Sequence, residues 1–121
     1  MFNVLIADSD VDAWFQINAI LRRNSIKASL VSTLGAARQY IDRQLPALLF
    51  FDRHLQDNSM MDFIWYVRSK YPRAKIILIN GAGDQLNNIT SRADIIINKP
   101  LLPETIEAAI QKLVDPTFQP Q

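Results

Sequence analysis

Ala47-Leu48-Leu49-Phe50-Phe51-Asp52 is a run of five apolar residues closed by one carboxylate. A strand with one wet face alternates apolar and polar residues, whereas a strand covered on both faces reads as a continuous apolar run. This run therefore predicts a central strand of a parallel sheet, entered after Pro46 and left at Asp52. The same grammar recurs outward from it. Asn3 to Ala7 is a short apolar strand closed by Asp8-Ser9-Asp10. Lys75 to Ile79 is closed by Asn80-Gly81, and Asp94 to Asn98 runs into Lys99-Pro100. Lys27 to Val31 is more polar and suits an edge.

Helix-length segments fill the gaps. Residues 11–23 follow Ser9 or Asp10 as N-cap and put Ala13, Ile17, Ile20 and Leu21 on one stripe. A second helix starts from a Ser32 or Thr33 cap and runs to Arg43; a third runs from Ser59 to Tyr71 and stops before Pro72. On the third, Phe63, Ile64, Val67 and Tyr71 share a face and leave Trp65 opposite, as Phe15 is left off the stripe of the first. A short, weak helix is expected around 85–91, and a last one with Pro103 in its first turn ends near Val114. Strands alternating with helices predict an α/β domain, a doubly wound five-stranded parallel sheet with helices on both faces. It occupies residues 1–114, and the tail at 115–121 has no pattern that would bury it.

Composition narrows the function. At 121 residues and 49% apolar, the chain can build one core without a staple. The absence of cysteine excludes disulfides, thiolate metal sites and cysteine nucleophiles. Thirteen basic against twelve acidic residues give a net charge of +1. That offers no general field for nucleic acid or anionic membrane, and no basic helix-turn-helix stripe is present, so no direct nucleic-acid binding is expected. No run approaches the ~20 apolar residues that span a bilayer, and the N-terminus lacks the basic start of a signal peptide. A soluble, cytoplasmic protein without a membrane partner is expected.

In open parallel sheets, ligands bind beyond the carboxyl ends of the strands. Asp8, Ser9, Asp10, Asp52, Asn80 and Lys99 all close strands and so should share one rim. Any one of them alone would be an ordinary polar strand end, but together they form a candidate site. A carboxylate attacks an anionic phosphorus centre poorly unless cations offset the charge and fix the geometry. Mg²⁺ favours a few carboxylates with waters and phosphate oxygens, and a lysine can pair with a phosphoryl oxygen as a point charge. Gly81-Ala82-Gly83 is not a phosphate-cradling loop, because no Lys-Ser/Thr pair follows in register. His54, the only histidine, reads as a solvated loop residue.

The segments VLIADSD, ALLFFDRHL, KIILINGA and ADIIINKP resemble the receiver domain of bacterial two-component response regulators, over the chain up to about Val114. The resemblance implies a flavodoxin-like (βα)5 fold with Asp52 as phosphoacceptor and Lys99 and Asn80 contacting the phosphoryl group. It implies Mg²⁺ held by Asp8, Asp52 and the backbone carbonyl of His54, with Ser9 or Asp10 as a further ligand. A cis Lys99-Pro100 bond is implied as well. The implied partners are a sensor histidine kinase or histidine phosphotransfer protein and an output domain beyond the C-terminus. Such a domain is a phosphoacceptor, not an enzyme. Trp65 and Phe15 are candidate partner contacts.

Departures from the pattern shape this expectation. Ser9 stands where a second acid is usual, and Asn80-Gly81 where Thr or Ser precedes Ala. Ile96 replaces an aromatic, Gln56 and Met60 replace a proline and a glycine, and the stretch from Asn80 to Lys99 is short. Together they imply a weakened Mg²⁺ site and an altered switch. The alternative is a pseudo-receiver that acts as a phosphorylation-independent interaction module. A small flavodoxin-like enzyme would need a cofactor loop or a catalytic pair, and the sequence offers neither.

Overall fold

Every residue of β3 (Leu48–Asp52) is buried, as its unbroken apolar run demands. The computed structural model describes residues 3–55, 60–81 and 93–114. The remaining elements are β1 (Val4–Ala7), α1 (Val11–Arg23), β2 (Ala28–Val31), α2 (Leu34–Arg43), α3 (Met60–Lys70), β4 (Lys75–Asn80), β5 (Ile95–Asn98) and α4 (Pro103–Val114). All strands pair in parallel, in the order β2-β1-β3-β4-β5. The apolar β3 is central, and the more polar β2 lies at an edge.

Period-two alternation sorts the strand side chains into two cores. Ile6, Phe50, Ile77 and Ile79 pack with Ile17 and Leu21 of α1 and Ile106 and Ile110 of α4. Leu5, Leu49, Phe51 and Leu78 pack with Ile41 of α2 and with Phe63 and Val67 of α3. Helices therefore cover both faces, which is the doubly wound flavodoxin-like arrangement. Each such Leu, Ile or Phe contributes about 1.5–3 kcal/mol by leaving water. Phe51 and Phe63 stack at 4.9 Å between centroids.

Local signals set the helix ends. Asp10 and Thr33 are the N-caps of α1 and α2, accepting from the backbone N–H of Asp12 and Ala36. After α1, Ser25 takes a positive φ of 61°. Its N–H donates to the Arg22 carbonyl and that of Ile26 to the Leu21 carbonyl, a Schellman ending in which a serine fills the place glycine prefers.

The strands differ from expectation at their ends. β3 and β4 extend through Asp52 and Asn80, so these residues are part of the sheet itself. Asp94 is not in β5; its carboxylate accepts from the Ile76 N–H at 2.8 Å and pairs with Arg68 at 2.7 Å. The helix expected at 85–91, Gln56 and the tail at 115–121 lie outside the described residues. Among the described residues, no helix is long and apolar enough to cross a membrane.

Candidate functional site

The strand order reverses direction between β1 and β3, and in such sheets the crevice opens beyond the carboxyl ends at that point. Asp8 follows β1 and Asp52 ends β3, so the two acids flank the crevice. Both are buried, Asp8 fully and Asp52 to 4% exposure. Asn80 ends the neighbouring β4 at 1% exposure, and Lys99 follows β5. The Lys99-Pro100 bond is cis.

Lys99 gathers the acids. Its Nζ lies 3.2 Å from Asp10 Oδ2, 3.4 Å from Asp52 Oδ2 and 3.9 Å from Asp8 Oδ2. Its backbone N–H donates to the Asn80 carbonyl at 2.9 Å, which locks the end of β5 to that of β4. Burial works against the ammonium, but the carboxylates of Asp52, Asp8 and Asp10 outweigh it and raise its pKa. Asp52 is oriented from its own loop, where the His54 N–H donates to Oδ1 at 2.8 Å. The His54 residue itself is exposed.

Asp8 is the electrostatically costly member. Oδ1 accepts from the Asp10 N–H at 2.8 Å, while Oδ2 is buried with no hydrogen-bond partner. Burial, together with the adjoining Asp52 carboxylate, pushes its pKa from 3.8 up to about 7. Near neutral pH this group is poised between holding a proton and meeting a cation. Asp10 divides its two oxygens: Oδ1 caps α1 and Oδ2 reaches Lys99. Burial pushes its pKa up, but Lys99 and the Asp12 N–H more than offset this and lower it.

These positions answer the expectations residue by residue. Asp8, Asp10, Asp52, Asn80 and Lys99 converge on one rim. Ser9 is exposed on the turn above it. Asp10 faces inward through Lys99 although it opens the helix. Trp65 on α3 and Phe15 on α1 are exposed, at 49% and 68%. Two neighbours were not singled out from the sequence. The Trp14 indole N–H donates to the Asp8 carbonyl at 2.7 Å, pinning the β1–α1 turn. Arg53 Nη1 donates to Asn80 Oδ1 at 3.3 Å.

The donors suit a divalent cation in part. Asp8 Oδ2, which accepts no hydrogen bond, and the adjacent Asp52 offer hard oxygens of the kind Mg²⁺ takes. Among the described residues, no three His, Cys, Asp or Glu side chains are arranged to close a cage. Backbone carbonyls, water and phosphate oxygens would have to complete the shell.

No protein-family model matches the chain. It is 25% identical over 81 residues to the photosynthetic apparatus regulatory protein RegA of Rhodovulum sulfidophilum, a match spanning 67% of this chain and 44% of that protein. Among solved structures, a CheY-like response regulator receiver domain protein from Methanospirillum hungatei superposes with a TM-score of 0.84 at 21% identity. It covers all of this chain and 99% of its own. The receiver domain of NtrX from Brucella abortus superposes with a TM-score of 0.83 at 19% identity, covering 94% and 99%. The fold is that of response-regulator receiver domains.

Proposed function

We propose that this chain is a receiver domain that accepts a phosphoryl group on Asp52 and signals through a protein partner. The observation that carries the reading is the meeting of Asp52 with Lys99 at 3.4 Å, beside the buried Asp8 oxygen that accepts no hydrogen bond, in the switch-point crevice. A carboxylate oxygen of Asp52 attacks the phosphorus of a phosphohistidine on a histidine kinase or phosphotransfer protein. The P–N bond breaks, the imidazole leaves and takes up a proton, and an acyl phosphate remains. Lys99 offsets charge on the transferred oxygens, and the His54 N–H holds the carboxylate in place. Mg²⁺, bound by Asp8, Asp52 and the His54 carbonyl, would supply further charge neutralisation. The domain is a phosphoacceptor, not an enzyme with a substrate turnover of its own, and it works in the cytoplasm. The chain matches less than half the length of RegA, which fits an output domain lying beyond the receiver.

Ser9 leaves the rim one anionic ligand short, and Mg²⁺ binding weakens with ligand charge. Ser9→Asp is expected to bind Mg²⁺ roughly tenfold or more tightly. The two tryptophans supply a fluorescence signal for the titration, since Trp14 is bonded to Asp8. An unchanged affinity would count against this account of the site.

The direct test is incubation with acetyl phosphate and Mg²⁺, followed by intact mass beside an Asp52→Ala control. Gain of one phosphoryl group, absent from the control, is expected. No gain, where an ordinary receiver is modified in parallel, favours the second reading, a pseudo-receiver that acts by binding alone. Ile96 favours that second reading: it stands where the family has a rotating aromatic and is packed half-buried against the α2/α3 core, so no aromatic rotation at this position is available to carry a signal.

A further inference from the structure

We infer that Arg53 is a positioning residue that makes the Asn80 side chain a hydrogen-bond donor toward a phosphoryl group on Asp52, an inference that rests on the reading of Asp52 as acceptor. A serine or threonine hydroxyl turns its proton toward whichever acceptor it meets. An asparagine is two-ended. Its NH₂ attracts a phosphoryl oxygen, whereas its carbonyl oxygen repels one. At this rim the choice between the ends decides whether Asn80 helps or hinders.

Arg53 makes that choice. A guanidinium has donors and no acceptor, so its 3.3 Å contact with Asn80 Oδ1 engages the oxygen end. The NH₂ is the end left to meet an anion. Backbone bonds hold the pieces in register: the Arg53 N–H donates to the Ile79 carbonyl and the Lys99 N–H to the Asn80 carbonyl, both at 2.9 Å. Asn80 is only 1% exposed, so solvent is a poor substitute for Arg53. Arg53 thereby gives an amide the polarity a hydroxyl would adopt unaided.

The test is the rate of phosphoryl uptake from acetyl phosphate with Mg²⁺ in wild type, Arg53→Met, Arg53→Lys, Asn80→Ser and the Arg53→Met/Asn80→Ser double variant. Loss of a charged hydrogen bond predicts uptake slowed roughly tenfold in Arg53→Met, with most of the rate kept in Arg53→Lys. In the Asn80→Ser background, Arg53→Met is expected to cost less than about twofold, because the hydroxyl needs no orienting partner. Equal losses in both backgrounds overturn the inference, since Arg53 would then act on the loop or on the phosphoryl group directly. Nuclear magnetic resonance of the unmodified protein gives a second reading. The Asn80 side-chain amide signals should move in Arg53→Met and stay close to wild type in Arg53→Lys; signals unchanged in Arg53→Met overturn the contact. A wild type that takes up no phosphoryl group sinks the acceptor reading, and the amide signals then decide the Arg53 contact alone.

Discussion

Lys99→Met is expected to lower the unfolding free energy at neutral pH by roughly 2–4 kcal/mol. Methionine keeps the length of the stem, so the change is chiefly the loss of one cation. That cation sits within 4 Å of the Asp10, Asp52 and Asp8 carboxylates, two of which are buried. Removing one partner of a buried ion pair leaves the opposite charge uncompensated, at about 3–5 kcal/mol for a fully desolvated pair. Here the Lys99 side chain keeps 26% exposure, which places the expected loss at the lower end. The pH dependence separates this cause from a packing defect. The folded-state pKa of Lys99 is raised, so its stabilisation is complete below the ordinary lysine range and fades only in strong alkali. Between pH 5 and pH 8 the lysine stays charged, and the acids set the slope. The loss in Lys99→Met should therefore shrink toward pH 5, where Asp8 can hold a proton in place of a neighbouring cation. Urea unfolding followed by circular dichroism at both pH values measures it. A loss that does not change with pH would assign the effect to packing.

How much of this was legible in the sequence depends on whether the signal is local. The strands were legible because an apolar run and its closing residue lie side by side: Phe50, Phe51 and Asp52 announce a buried strand that ends at the polar rim. The rim followed from topology, since parallel strands deliver their closing residues to one edge. What escaped were contacts decided by side-chain direction. Asp10 read as a helix cap or a ligand, and it serves both ends at once, one oxygen on the Asp12 N–H and the other on a lysine 89 residues away. Trp14 sits on a helix with nothing around it to say that its indole reaches back to Asp8. Arg53 follows Asp52 directly, and that adjacency was the one available hint. Its partner lies on the neighbouring strand, 27 residues on, where no local pattern reaches.

The second large effect has the opposite sign. Asp8→Asn is expected to stabilise the protein above neutral pH by on the order of 2–4 kcal/mol, while weakening Mg²⁺ binding roughly tenfold or more. The Asp8 carboxyl is fully buried beside Asp52, with one oxygen accepting no hydrogen bond. Its pKa rises to about 7 when the chain folds, so between about pH 4 and 7 the folded state binds a proton that the unfolded chain has released. Stability from this group therefore falls as pH rises through that window and stays reduced above it. Asparagine removes the penalty. Its oxygen can still accept from the Asp10 N–H, and its amide can donate to the Asp52 carboxylate without a charge of its own. The variant and wild type should converge near pH 4 and separate progressively toward pH 8, which thermal unfolding across that range would show. Mg²⁺ supplies the control, because saturating metal should stabilise wild type and leave Asp8→Asn nearly unmoved. A destabilised variant at pH 8 would mean that Asp8 is held by contacts that outweigh its desolvation. A stabilised variant that has lost its metal would show a carboxylate kept at this buried position for the cation it can bind, at the expense of the fold.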